Sequence, residues 1–309
     1  MSLQTTSSPG KIILSGEHAV VYGHPALLAA VNKTLSITAL DDRLLHTIYK
    51  SIDNLQSTDS LPYIFNQQFI HKHKLTIQSN IPIGCGMGSS AAYSTALSML
   101  IYSSDKHEIE DKVERLSYLF EKQKHNNSSG ADTAVCQRGG FLWYRKESEN
   151  FKIFKSLTPN SSFPKFSILN TGTPKESTGD MVNLVSEKYK IKKSQTHKLL
   201  NNIADTTKCF LEFFLGNKKY QIKELIRENE ILLEKLGVVS TSTASLIRQI
   251  EKIGGVAKIC GAGGFKGDSG ILLCYHTDLE IIKEFAQSHN ISLLKGIKLG
   301  MPGARITNN

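Results

Sequence analysis

The stretch Gly84-Cys85-Gly86-Met87-Gly88-Ser89-Ser90-Ala91-Ala92 constrains this chain most, because it joins a glycine-rich turn to a segment with helical spacing. Glycines at alternate positions let the backbone approach an anion with no Cβ in the way, and they tolerate positive φ. The free N–H groups of a first helical turn, at the positive end of the helix dipole, then supply attraction. Ser89 or Ser90 can cap that helix, and a spare hydroxyl can reach a metal ion riding on phosphates. The loop is neither of the two commonest nucleotide motifs. No Gly-Lys-Ser/Thr follows it, and the spacing G-x-G-x-G-S-S breaks the G-x-G-x-x-G fingerprint at Ser89. Taken alone, such a turn is more often a structural hairpin or cap than a ligand site. Its flanks decide.

Upstream, Leu75-Thr76-Ile77-Gln78-Ser79 alternates and feeds Ile81-Pro82, so the loop follows a strand; downstream, Ser89 to Ser103 carries Ala, Leu and Met at helical spacing. Ile109 to Lys124 reads as a second amphipathic helix with Val113, Leu116, Leu119 and Phe120 on one face. Near the start, Lys11 to Leu14 predicts a short strand running into Ser15-Gly16-Glu17-His18, and 27–31 and 35–40 are further β-type stretches. Residues 141–144 and 166–169 read as strands on either side of a Ser/Asn/Pro-rich loop between Pro159 and Pro164, which marks a domain boundary near 160. Beyond it come helices over 179–188, 195–215, 222–236 and 243–253. Strands at 256–260 and 270–275, a helix at 279–288 and a last strand near 293–299 complete the chain. Interspersed strands and helices argue for an α+β class. At 309 residues the chain exceeds the usual size of a single core, so two domains are expected, 1–160 and 161–309.

Composition excludes several function classes. Hydrophobic residues at 40% and charged residues at 21% are ordinary globular values. The net charge of +9 is spread over Lys-rich segments such as residues 188–193 rather than one stripe interleaved with aromatics, so a nucleic-acid partner is not expected. Five cysteines without a CxxC pair suggest neither a disulfide framework nor a zinc site. No leader-like segment opens the chain and no apolar run approaches the ~18 residues of a membrane span, so the expected location is the cytoplasm, with no membrane partner.

Three glycine-centred segments stand out: PGKIILSGEHAVVYGHPAL, from Pro9; IPIGCGMGSSAA, from Ile81; and ICGAGG, from Ile259. Their order and content resemble the GHMP kinase superfamily, and the first is similar to the opening of its mevalonate kinase family. HNNSSGADTAVCQRGG, from His125, resembles the stretch of that family ending in the catalytic aspartate. Weaker matches at Thr171-Gly172, Ser177-Thr178 and 229–240 extend the resemblance over nearly the whole chain.

The resemblance implies a two-domain GHMP kinase fold, with a left-handed βαβ unit in the N-terminal domain and a ferredoxin-like C-terminal domain. The activity it implies is ATP-dependent phosphorylation of the primary hydroxyl of mevalonate to 5-phosphomevalonate. Phosphoryl transfer asks for positioned phosphates, a neutralising metal and a base or orienting group for the acceptor. By resemblance Gly84, Gly86, Met87, Gly88, Ser89 and Ser90 hold the nucleotide phosphates, and Ser90 and Glu121 hold Mg2+. Asp132 takes the hydroxyl proton beside Lys11, which counters developing charge. Glu17, His18, Thr178, Gly261 and Ala262 face the acceptor, with His18 near its carboxylate. The partner is thus a small molecule, and a homodimer is compatible with the pattern. Rival readings are another GHMP kinase, such as a phosphomevalonate or sugar kinase, and a non-catalytic ligand-binding relative. The run Gly-Glu-His-Ala-Val-Val favours mevalonate, since galactokinase-like proteins continue Gly-Glu-His-Thr-Asp and phosphomevalonate kinases usually carry tyrosine where His18 stands. A regulator has no need to keep Lys11, Glu121 and Asp132.

Overall fold

In the computed structural model, which describes residues 4–39, 75–103, 109–125 and 128–308, the chain builds two antiparallel sheets with helices packed on each. The first sheet holds β1 (Gln4–Ser15), β2 (Ala26–Ala39), β3 (Thr76–Ser79), β4 (Phe141–Lys146), β5 (Lys152–Leu157) and the chain's last strand, β10 (Arg305–Asn308). Its order is β10-β1-β2-β4-β5, with β3 also on β2. β3 and β4 pair antiparallel with residues 35–38 and 26–29 of β2, so they run in the same direction. Between them in the chain come α1 (Ser89–Ile101), α2 (Ile109–His125) and α3 (Ala131–Arg138), which makes the expected βαβ unit.

The second sheet contains β6 (Ser167–Asn170), β7 (Val256–Ile259), β8 (Ile271–Tyr275) and β9 (Ser292–Leu293) in the order β7-β8-β6-β9. Counted in chain order, its spatial order is second, third, first, fourth, the antiparallel arrangement of a ferredoxin-like unit. The first crossover carries α4 (Thr178–Ile191), α5 (Lys193–Phe214), α6 (Ile222–Leu236) and α7 (Thr241–Lys252), and the second carries α8 (Leu279–Ser288).

β1 runs from Gln4, well before the expected start at Lys11, because its small polar residues find partners under the helices. Thr6 donates to Ala96 O of α1 at 2.8 Å, and the Ser15 and Thr207 hydroxyls lie 2.8 Å apart. Satisfied this way, a Ser/Thr-rich strand can be buried as readily as an apolar one. Likewise β2 is one strand where two were expected, with Asn32 bonded to Gly296 O and Lys298 N in the middle. The first sheet's strands run to Leu157 and the second sheet's begin at Ser167, but contacts join the two parts of the chain. β10 returns to pair with β1, and Phe210, Phe214 and Ile226 of the later helices pack in one core with Ile12, Leu14 and Leu97. The two sheets therefore share a seam, and the glycine-centred segments meet there. Among the described residues no helix is long and apolar enough to cross a membrane.

Candidate active site

The loop leading from β3 into α1 is shaped by what it packs on. Gly86 has φ +89°, and a Cβ there would meet Cys260 O at 2.6 Å; Gly88 has φ +79°, and a Cβ there would meet Lys11 Cγ at 2.7 Å. The loop thus lies flat against the third glycine segment and the first, a closeness only glycine allows. Gly88 itself is the N-cap of α1, and no side chain caps it, so the expected cap by Ser89 or Ser90 is absent. Both serines instead sit in the first turn, whose N–H groups open toward the cleft. Met87 is fully buried, and its carbonyl accepts from Lys11 N–H at 2.9 Å. It anchors the loop and is not part of the cleft wall.

Lys11 reaches the cleft because β1 changes register between Pro9 and Gly10. Its Nζ lies 2.9 Å from Asp132 Oδ2, with the Lys11 side chain 3% exposed and the Asp132 side chain 36% exposed. Asp132 stands in the first turn of α3, a helix not expected from sequence; Gly130, with φ +83°, caps it beneath Tyr144, whose hydroxyl donates to Ser129 O. Glu121, on α2 and 5% exposed, accepts from Ser90 Oγ at 2.6 Å and from Ser94 Oγ at 3.0 Å. Ser94 was missed in the sequence, although it stands one helical turn after Ser90 and so shares its face. Hard oxygens from one carboxylate and one hydroxyl, beside a glycine-rich loop, have the chemistry of a site for a magnesium ion that takes its other ligands from phosphates and water. Among the described residues no cluster of three or more His, Cys, Asp or Glu forms a self-sufficient metal cage.

At the other end of the cleft, His18 is buried with φ 59° and ψ −44°, and its Nε2 lies 3.0 Å from Ala262 O. A carbonyl only accepts, so Nε2 carries the proton and Nδ1 remains an acceptor. Burial pushes the imidazole down to about 4, the Ala262 contact opposing only in part, so the ring is neutral near pH 7. Glu17 does not reach the wall of the cleft. Its side chain is fully buried and ion-paired with Lys258 of β7, which the sequence did not single out. Thr178 opens α4 at the cleft, behind a capping box formed by Ser177 and Asp180. Gly261 and Ala262 bring backbone to the same wall, as does Lys175. Cys260, beside the cleft, is not poised for reaction; its thiol is pushed up to about 12, mainly by burial.

The structure thus gathers Lys11, Asp132, Glu121, Ser90, His18 and Thr178 around one cleft of about 450 Å³, and leaves Met87 and Glu17 behind its walls. The model of the GHMP kinases N terminal domain matches residues 46–140. A mevalonate kinase of Thermococcus sibiricus is 31% identical over 293 residues, covering 84% of this chain and 86% of that protein. Among solved structures, an L. major mevalonate kinase in complex with R-mevalonate is similar with TM-score 0.68 at 19% identity, over 96% of this chain and 95% of that one. A Streptococcus pneumoniae phosphomevalonate kinase in complex with phosphomevalonate and AMPPNP is similar with the same TM-score, 0.68, at 16% identity, over 96% and 99%. The backbone alone therefore does not separate the two acceptors.

Proposed function

The chain belongs to the mevalonate kinase family of the GHMP kinases, and from that premise we propose that it transfers the γ-phosphoryl group of ATP to the primary hydroxyl of mevalonate. One observation carries the reading: the Lys11–Asp132 pair, at 2.9 Å, stands in the same cleft as the uncapped start of α1 and the buried Glu121. In this reading, N–H groups of the loop and of the first turn of α1 bind the nucleotide phosphates. Ser90 and Glu121 hold Mg2+, which when bound neutralises phosphate charge. Asp132 accepts the hydroxyl proton as that oxygen attacks the γ-phosphorus and the bond to the β-phosphate oxygen breaks. Lys11 beside it offsets the charge that builds in the transition state.

The neutral His18 changes the role expected for it. Kept neutral by burial, the imidazole brings no positive charge to a carboxylate, and with Nε2–H donating to Ala262 O its Nδ1 can accept from an acceptor hydroxyl. The acceptor carboxylate then falls to Lys175, the other lysine lining the cleft, with Thr178 as a neutral donor. The test is ADP release from ATP and Mg2+ with mevalonate, phosphomevalonate, galactose and homoserine. We expect kcat/KM for mevalonate at least about a hundredfold above the others, a margin of about 3 kcal/mol in transition-state binding. A preference for the phosphorylated acid or a sugar overturns the acceptor and leaves the kinase class standing.

A further inference from the structure

Lys258 is an unusual residue for a sheet interior. It lies on β7 with its side chain wholly buried. Its Nζ donates to Glu17 Oε1, to Ile259 O at 2.7 Å and to Ile13 O at 3.4 Å. An ammonium has three N–H donors, so all are engaged. Two of the three acceptors belong to the first sheet and the turn that follows β1, while the lysine and the third acceptor belong to the second sheet. One charge therefore spans the seam between the sheets.

That pair lies at the root of the cleft. Glu17 is followed directly by His18, and Lys258 leads through Cys260 and Gly261 to Ala262, whose carbonyl takes the His18 Nε2–H. The ion pair and the His18 bond are two rungs joining the same turn to the same strand end. Ile13, held by the same ammonium, is on the strand that presents Lys11, and Cys260 O is where the phosphate loop packs through Gly86.

Net stability is a poor account of such a pair. Desolvating two ions offsets most of their attraction, and an apolar pair of similar volume often serves as well or better. What an apolar pair lacks is register, because dispersion contacts tolerate sliding that a directed N–H···O geometry does not. His18 holds a backbone conformation outside the regular regions, which persists only when its surroundings over-determine it. We propose that Lys258 is a positioning residue for the acceptor end of the cleft, fixing the His18 turn against the Gly261–Ala262 backbone through its pair with Glu17. The inference rests on the phosphoryl-transfer reading above for what the cleft does, though not for the geometry of this strap, the Lys258–Glu17 pair together with the His18–Ala262 bond.

The experiment compares the wild-type protein with Lys258→Met and with Glu17→Leu/Lys258→Met. The single variant leaves a buried carboxylate without its cation and is expected to lose stability. The double variant removes both charges and is expected to melt at or above the wild-type temperature. In it, KM for mevalonate should rise at least about tenfold while ATP affinity by calorimetry stays within about twofold, and amide exchange at residues 17–19 and 261–263 should quicken. A stable double variant with wild-type KM, kcat and exchange rates overturns the proposal, as does an activity loss that only follows a fall in melting temperature. If the wild-type protein does not phosphorylate mevalonate, the acceptor reading has failed, and the exchange rates alone then decide for or against the strap.

Discussion

The neutral state of His18 is the sharpest quantitative consequence of the structure. The ring is 6% exposed and titrates at about 4, against about 6.5 for an unfolded histidine. Its native value is depressed, so between those two pH values the unfolded chain binds a proton that the native chain refuses. Stability from this source is therefore present above pH 6.5 and is lost as pH falls toward 4. At about 1.4 kcal/mol per decade the whole interval is worth about 3 kcal/mol, of which about 2 kcal/mol is lost by pH 4.5. His18→Gln isolates the effect. A glutamine amide can still donate to Ala262 O but does not titrate, and the carboxylates that also weaken the fold in acid cancel in the comparison. Urea unfolding of both proteins at pH 7.0 and 4.5 should show the wild type losing about 2 kcal/mol more than the variant. Equal losses would refute the neutral ring. In that event, pairing of an imidazolium with the acceptor carboxylate would return as the better account of this end of the cleft. At pH 7 such pairing first has to place a proton on the ring, at about 4 kcal/mol, so the acceptor KM of the wild type should also show no inflection near 6.5.

Asp132→Asn should leave ATP binding nearly intact and lower kcat by on the order of a hundredfold or more, and Lys11→Met should depress kcat more than it raises KM; steady-state kinetics with both substrates checks each. Glu121→Gln should raise the magnesium concentration needed for half-maximal rate, with partial recovery in excess metal, and an unchanged magnesium titration would separate Glu121 from the metal. Gly86→Val should abolish nucleotide binding by calorimetry at any magnesium level, since its Cβ falls 2.6 Å from Cys260 O at φ +89°. Glu230, buried against Ile259 N–H and raised to about 8 chiefly by desolvation, must be kept protonated as pH climbs past its unfolded value. Glu230→Gln should therefore stabilise the protein by several kcal/mol more at pH 8 than at pH 5, read from thermal melts at each pH.

How far the sequence could be read depended on whether a residue's environment is local. α6 and α8 were legible to the residue because their apolar stripes repeat within the helix. β1 was legible only at Lys11–Leu14, because the burial of Thr6 to Ser8 depends on α1 and β10, distant in the chain. α3 escaped because its start is a glycine with positive φ wedged under Tyr144, with no side-chain cap to announce it. The phosphate loop, Lys11 and Asp132 stood out because each lies in a motif whose glycines are needed locally. Glu17 misled for the same reason. In the sequence it is a polar residue in a glycine turn beside His18, and nothing near it reveals that Lys258 arrives from the far sheet to bury it.

The charge inventory of the cleft bears on acceptor choice in a way the composition conceals. The chain carries +9 overall, yet the charged residues lining the cleft are Lys11 and Lys175 against Glu121, Asp132 and Glu176, a local balance of one negative charge with His18 neutral. The basic surplus therefore lies elsewhere and serves at most to draw anions toward the protein. In the proposed reaction, ATP brings the charge of its own phosphates into the cleft. A monoanionic acid adds one charge, which Lys175 can meet. A phosphorylated acid adds two more close to the transferring phosphoryl group, with no further lysine or arginine among the described lining residues to receive them. Two unit charges near 4 Å repel by roughly 4 kcal/mol at the effective dielectric of a protein site. A hundredfold preference asks for only about 3 kcal/mol. A single uncompensated contact of that kind would be enough to account for the preference for mevalonate proposed above, a distinction that the backbone, equally similar in TM-score to one enzyme of each kind, does not make.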